Sequence, residues 1–209
     1  MLIRNMCLCK KKDGVMNYFL VILVFFLLLI SISMIKFEEK KVILAKYRLE
    51  NAVILSTLSA NVADIYEYAT FKNLFLDATT EFNGVKEYGY GLNSYSEFQT
   101  GTIKAYDIAK KRFKSAIQTN MKVDNNLQST VDYYSEITLD DFVIYNVREN
   151  EVYSYDGTNF YHLGTVGAVK TKTGDSIKCS GIYVRMTVKI SALKKEYSLK
   201  IEEFVDITT

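Results

Sequence analysis

The sequence predicts an α+β chain. A single N-terminal transmembrane helix continues into a long extracytoplasmic helix, followed by a second helix and a C-terminal antiparallel β-sheet. Three observations carry this class. Residues 15–35 form an uncharged, strongly apolar run. No glycine or proline occurs from Val15 to Asn83, and these are the residues that most reliably break helices. After residue 130, short β-rich runs punctuated by turn pairs replace the helical pattern. The expected organisation is a basic leader (1–14), a membrane helix (15–35), its extracytoplasmic extension (36–83) and an α+β head (84–209).

The membrane element rests on length and charge. Residues 15–35 read VMNYFLVILVFFLLLISISMI, 21 positions without a charge, and about 20 apolar residues cross the ~30 Å hydrocarbon layer. Upstream stand Arg4, Lys10, Lys11 and Lys12 against Asp13, whereas Lys36, Lys40 and Lys41 downstream are mixed with Glu38 and Glu39. This bias keeps the leader on the cytoplasmic side and sends the remainder outward, as a single-pass chain whose first partner is membrane lipid. The run exceeds the ~7–15 residues of a secretory signal core, and no A-x-A site follows it. Ser31-Ile32-Ser33 is a weak substitute, so retention as an anchor is the expectation.

Beyond the membrane, three-four spacing picks out Leu44, Tyr47, Asn51, Leu55, Leu58, Val62, Ile65, Ala69, Lys72 and Leu76. All but Asn51 and Lys72 are apolar, the pattern of one helix face against a partner. That stripe fits the core face against the chain's own head, or a contact with copies of itself or other helices. Both roles fit together on different faces, since Val42, Leu49, Val53 and Tyr66 lie off the line. Asn83-Gly84 then reads as the helix stop.

Residues 84–101, with four glycines and Tyr88, Tyr90 and Tyr95, read as a surface loop. A second helix is expected over 102–121, with Ile103, Tyr106, Ala109, Phe113 and Ile117 on one face. The adjacent basic run Lys110-Lys111-Arg112, with Lys114, reads as a solvated face or, alternatively, as a contact for anionic lipid. Strands follow around residues 142–145 and 151–155, with Asp156-Gly157 as a hairpin signal before 158–163. Another hairpin is expected around Gly174. Residues 182–192 alternate, with Ile182, Val184, Met186, Val188 and Ile190 on one face, and residues 197–208 supply a last strand.

Nothing in the chain assembles into catalytic chemistry, so the expectation is no enzyme, no metal and no cofactor. The one histidine, His162, lacks a second ligand in its neighbourhood. The three cysteines form no disulfide framework: Cys7 and Cys9 precede the membrane run and Cys179 stands alone. Asp140-Asp141 and Glu202-Glu203 are neighbours in strands, so each pair is expected to point to opposite faces. Lys and Arg total 26 against 24 Asp and Glu; this balance gives no general attraction for nucleic acid.

One junction adds to this reading. Lys10-Lys11-Lys12-Asp13-Gly14, followed directly by the apolar run, resembles the leader junction of type IV prepilins and of the TadE/TadF-like pseudopilins. The resemblance implies a pilin-like fold and cleavage between Gly14 and Val15 by a prepilin peptidase. It also implies assembly with other pilin-like subunits or platform proteins, self-association included. The fifth residue after that junction is Phe19, where the family usually carries Glu, which points to a minor rather than a major subunit. The other reading is a membrane-tethered binding or sensing module that does not polymerise.

Overall fold

The computed structural model describes residues 3–64, 68, 75–78, 80–82, 85–87, 94–124, 126–128, 134–192 and 195–207. The chain divides into two compact units, Met1–Leu44 with Ala192–Lys194, and Ala45–Ser191 with Lys195–Thr209.

In the first unit the backbone is helical from Ile3, upstream of the apolar run, and it belongs to helix α1 (Ile3–Ala60). Residues from Met16 onward in α1 are long and apolar enough to cross a membrane, and none of the most apolar stretch is buried. A helix in the core of a soluble fold would be covered; this stretch is not. Within it the Ser31 hydroxyl donates to the Leu27 carbonyl at 2.8 Å, which satisfies the group without a partner from outside. Past the apolar run, Lys41 pairs with Glu38 at 2.7 Å and its ammonium lies 4.9 Å from the centre of the Phe37 ring. The helix is unbroken through residues 36–45.

The second unit takes up α1 at Ala45. The helix ends at Ala60, well before the expected stop at Asn83. Ser56, Thr57, Ser59, Asn61 and Val62 are all middling helix formers, and other partners claim the backbone there. Asn61 Nδ2 donates to the Val205 carbonyl at 3.1 Å. Asp64 N–H donates to Phe75 O and Asp77 N–H to Val62 O, both at 2.8 Å, around an Ala63–Leu76 bridge. That ladder buries Phe75, Leu76 and Ala78, a gain that a continued helix would forgo. Strands β1 (Thr80–Phe82) and β2 (Val85–Glu87) then pair antiparallel, with Phe82 opposite Val85. Asn83-Gly84, the expected helix stop, lies outside the described residues.

The second helix, α2 (Tyr95–Met121), begins seven residues earlier than expected, inside the anticipated loop. The start is set by Ser94, whose hydroxyl accepts from Glu97 N–H, satisfying a donor that the first turn leaves without a partner. Tyr88 and Tyr90 lie outside the described residues. The buried face carries Phe98, Thr102, Ala105, Tyr106, Ala109, Phe113, Ile117 and Met121.

The sheet has five strands: β3 (Tyr134–Arg148), β4 (Glu151–Tyr155), β5 (Phe160–Thr165), β6 (Gly181–Ala192) and β7 (Lys195–Asp206), in the order β5-β4-β3-β6-β7. β3 pairs antiparallel with both β4 and β6. On one face, Phe142 meets Tyr106 and Phe113 of α2 at ring-centre distances of 5.5 Å, and Tyr153 meets Phe98 at 4.8 Å. The other face is covered where residues 166–180 fold back, so Val143, Tyr145, Val152, Ile177 and Tyr183 form a second cluster. Tyr183, on the face of β6 opposite Ile182, Val184 and Met186, is fully buried for this reason.

Asn146 ties these layers together. It is fully buried; its Oδ1 accepts from Leu76 N–H at 3.2 Å and its Nδ2 donates to Thr102 Oγ1 at 3.2 Å. One amide thus joins the 75–78 segment, the central strand and α2, and a buried polar group is tolerated only with such partners.

Candidate assembly surface

The second unit uses α1 differently from the first of the two roles expected for its stripe. The face turned inward is Ala45, Leu49, Ala52, Val53, Ser56, Thr57 and Ala60, with Leu49 and Val53 fully buried. The predicted stripe is the opposite one: Tyr47 is 61%, Leu55 56% and Leu58 37% exposed, and Val62 lies exposed just beyond the helix. Leu44, in the first unit, is exposed too. Leu76 is buried, but from the ladder segment rather than from a helix. Ile65, Ala69 and Lys72 lie outside the described residues. Spacing found both faces of α1 but did not rank them. The buried face is rich in small residues (Ala45, Ala52, Ala60, with Ser56), while the bulkier stripe side chains remain outside.

Beside the exposed stripe runs a groove between α1 and α2. One hollow of about 480 Å³ takes Arg48, Asn51 and Leu55 from α1 and Asn120 from α2. A second of about 530 Å³ shares Leu55 and Asn120 and adds Ser59 and Arg112. The floor is tied by Asn120 Nδ2 donating to Ser56 Oγ at 3.0 Å. A third hollow, meeting the second at Ser115, is walled by Lys110, Lys111 and Lys114 against a single carboxylate, Asp107. Arg112 is neutralised by Asp77 at 2.6 Å. Among the described residues, Arg48, Lys111 and Lys114 have no ion-pair partner.

The opposite flank of α1 is acidic. Burial raises the Glu203 carboxyl above the usual carboxylate value, and the nearby charges of Glu50 and, more weakly, Asp175 push the same way. Glu50 has one cation, Lys46, at 3.6 Å. Glu203 and Asp175 have none among the described residues.

Elsewhere several polar side chains pair with one another. A bulge between Leu139 and Asp141 lets both adjacent carboxylates reach one face of β6: Asp140 accepts from Thr187 and Thr138, and Asp141 pairs with Arg185 at 2.6 Å and Lys172 at 3.2 Å. Simple alternation would have separated them, and the extra residue cancels it. His162 is exposed, with Nε2 3.0 Å from Glu151 Oε2. Cys179 is a free, half-buried thiol. Among the described residues no group of three metal-ligating side chains occurs. The backbone of Lys10, Lys11, Lys12, Gly14 and Val15 is helical.

The surface therefore offers apolar packing on one helix ridge between flanks of opposite charge. Sequence spacing put Tyr47, Leu55 and Leu58 on one line without saying that the line stays exposed, and it did not single out Arg48, Glu50 or Glu203. No protein-family model matches the chain, and neither a curated protein nor a solved structure matches it.

Proposed function

We propose that the chain is a membrane-anchored, pilin-like subunit that works by assembly rather than by chemistry. It sits with its N-terminus on the cytoplasmic side and its head outside. One observation carries this reading: α1 passes without a break from its apolar stretch into the head, and there its bulky apolar side chains Tyr47, Leu55 and Leu58 stay on the surface. A protein that acted alone would gain by covering such side chains, whereas a subunit keeps them for a neighbour. The basic residues before the apolar run support the orientation, and Lys12-Asp13-Gly14 supports cleavage after Gly14 by a prepilin peptidase.

The test is N-terminal sequencing of the membrane-derived chain, together with photo-crosslinking from Leu58. A mature chain starting at Val15 and a ladder of crosslinked multimers are expected. A chain that starts after Ser33 and yields only monomer overturns the reading. Phe19 in place of a carboxylate favours a second reading, a tethered binding module; in that case crosslinking returns monomer while the anchor is retained.

A further inference from the structure

The two flanks of α1 in the head lie nearly opposite each other, and their charges are opposite. Arg48 and Glu50 are two residues apart, about 200° of helical turn. Arg48 opens onto the groove shared with α2, and that groove leads to Lys110, Lys111 and Lys114. Glu50 belongs to the flank that carries Glu203. Between the flanks stands the ridge of Tyr47 and Leu58, exposed and apolar.

From this arrangement we infer that the occupant of the α1–α2 groove is a second copy of this chain, which brings the Glu50–Glu203 flank against Arg48, Lys111 and Lys114. The inference rests on the assembly reading above and specifies its geometry. A contact between two different patches is heterologous, so each copy still offers one free flank of each sign after pairing. Repetition then extends the assembly instead of closing it as a dimer. The apolar ridge supplies the area that is removed from water, and the charges set which flank meets which. The same contact relieves the crowding of carboxylates around Glu203, since cations of the neighbour arrive where, among the described residues, Lys46 pairs with Glu50 alone.

The test uses the full chain in membranes with a photo-crosslinker at Leu58. Two variants reverse one flank each: Lys111→Glu with Lys114→Glu, and Glu50→Lys with Glu203→Lys. Lys111 and Lys114 are exposed, and Glu50 and Glu203 are half-buried, so unfolding temperatures of the solubilised variants are compared with wild type. Either variant alone is expected to lose multimer ladders at least ~10-fold, about 1.4 kcal/mol of contact energy. Coexpression of the two is expected to restore them, because each reversed flank then meets its complement on the other variant.

A measurement on the unmodified chain runs in parallel. Raising the ionic strength from about 0.05 to about 0.5 M is expected to thin the ladder, since exposed charges are screened over a few ångströms at high salt. Ladders that persist in both single variants and at high salt overturn the inference but leave assembly standing. Loss in both variants without recovery on coexpression, at unchanged unfolding temperature, overturns it as well. A wild-type chain that gives no ladder removes the assembly reading itself.

Discussion

At the scale of single residues, Asn146 and Tyr145 show opposite ways of living in a sheet interior. Asn146 has both ends of its amide engaged, with Leu76 N–H and with the Thr102 hydroxyl. Truncation to alanine leaves a buried N–H and a buried hydroxyl without partners. Asn146→Ala is expected to cost about 2–3 kcal/mol, read as a fall in chemical-denaturation midpoint without a change in slope. Tyr145, its neighbour on the other face of β3, is 5% exposed. Burial, helped by Tyr183 and Asp141, pushes its hydroxyl up to about 12 from an ordinary 10. The folded state thus holds that proton more tightly than the unfolded chain does. This contribution is complete below pH 10 and is lost as pH climbs towards 12. At about 1.4 kcal/mol per unit, Tyr145→Phe is expected to gain about 2 kcal/mol on wild type between pH 9.5 and pH 12, measured as the difference in unfolding free energy.

At the scale of elements, α1 separates packing from display. Leu49 fills the core and Leu58 does not, so the same chemistry has two outcomes. Leu49→Ala is expected to destabilise the head by about 2–4 kcal/mol through lost burial and a residual cavity. Leu55→Ser, on the same exposed face, is expected to change monomer stability by less than about 0.5 kcal/mol, while reducing multimer formation in the assay that crosslinks from Leu58. Thermal unfolding of solubilised protein separates the two. Elements with a strong local signal were legible in the sequence: the apolar run, the α2 face through Phe113 and Ile117, the Asp156-Gly157 turn and the alternation of β6 from Val184 onward. The end of α1 was not, because it depends on a ladder with Phe75 and on the Asn61–Val205 bond, both remote in sequence. The dipeptide Asn83-Gly84 is ambiguous as a sequence signal, since it favours a helix end and a hairpin alike. The candidate surface was half legible, since period alone finds two faces of a helix but cannot say which one the sheet will cover.

For the whole molecule, the apolar part of α1 sets the environment in which everything else operates. A charge near the middle of a membrane helix costs about 2.5–3.5 kcal/mol on insertion scales. Leu27→Arg is therefore expected to move a substantial fraction of the chain out of the carbonate-resistant membrane pellet, with Leu55→Ser as the control that leaves fractionation unchanged. Ladders from the crosslinker at Leu58 should fall in parallel, because lipid-held copies meet at high local concentration.

The part of α1 from residue 45 onward belongs to the core of the second unit, where Leu49 and Val53 are fully buried. Without that stretch, the apolar surface it covers is open to water. By the same token, a fragment that starts at residue 61 carries a cleft where its own helix belonged, and it should precipitate where a fragment starting near residue 40 stays in solution.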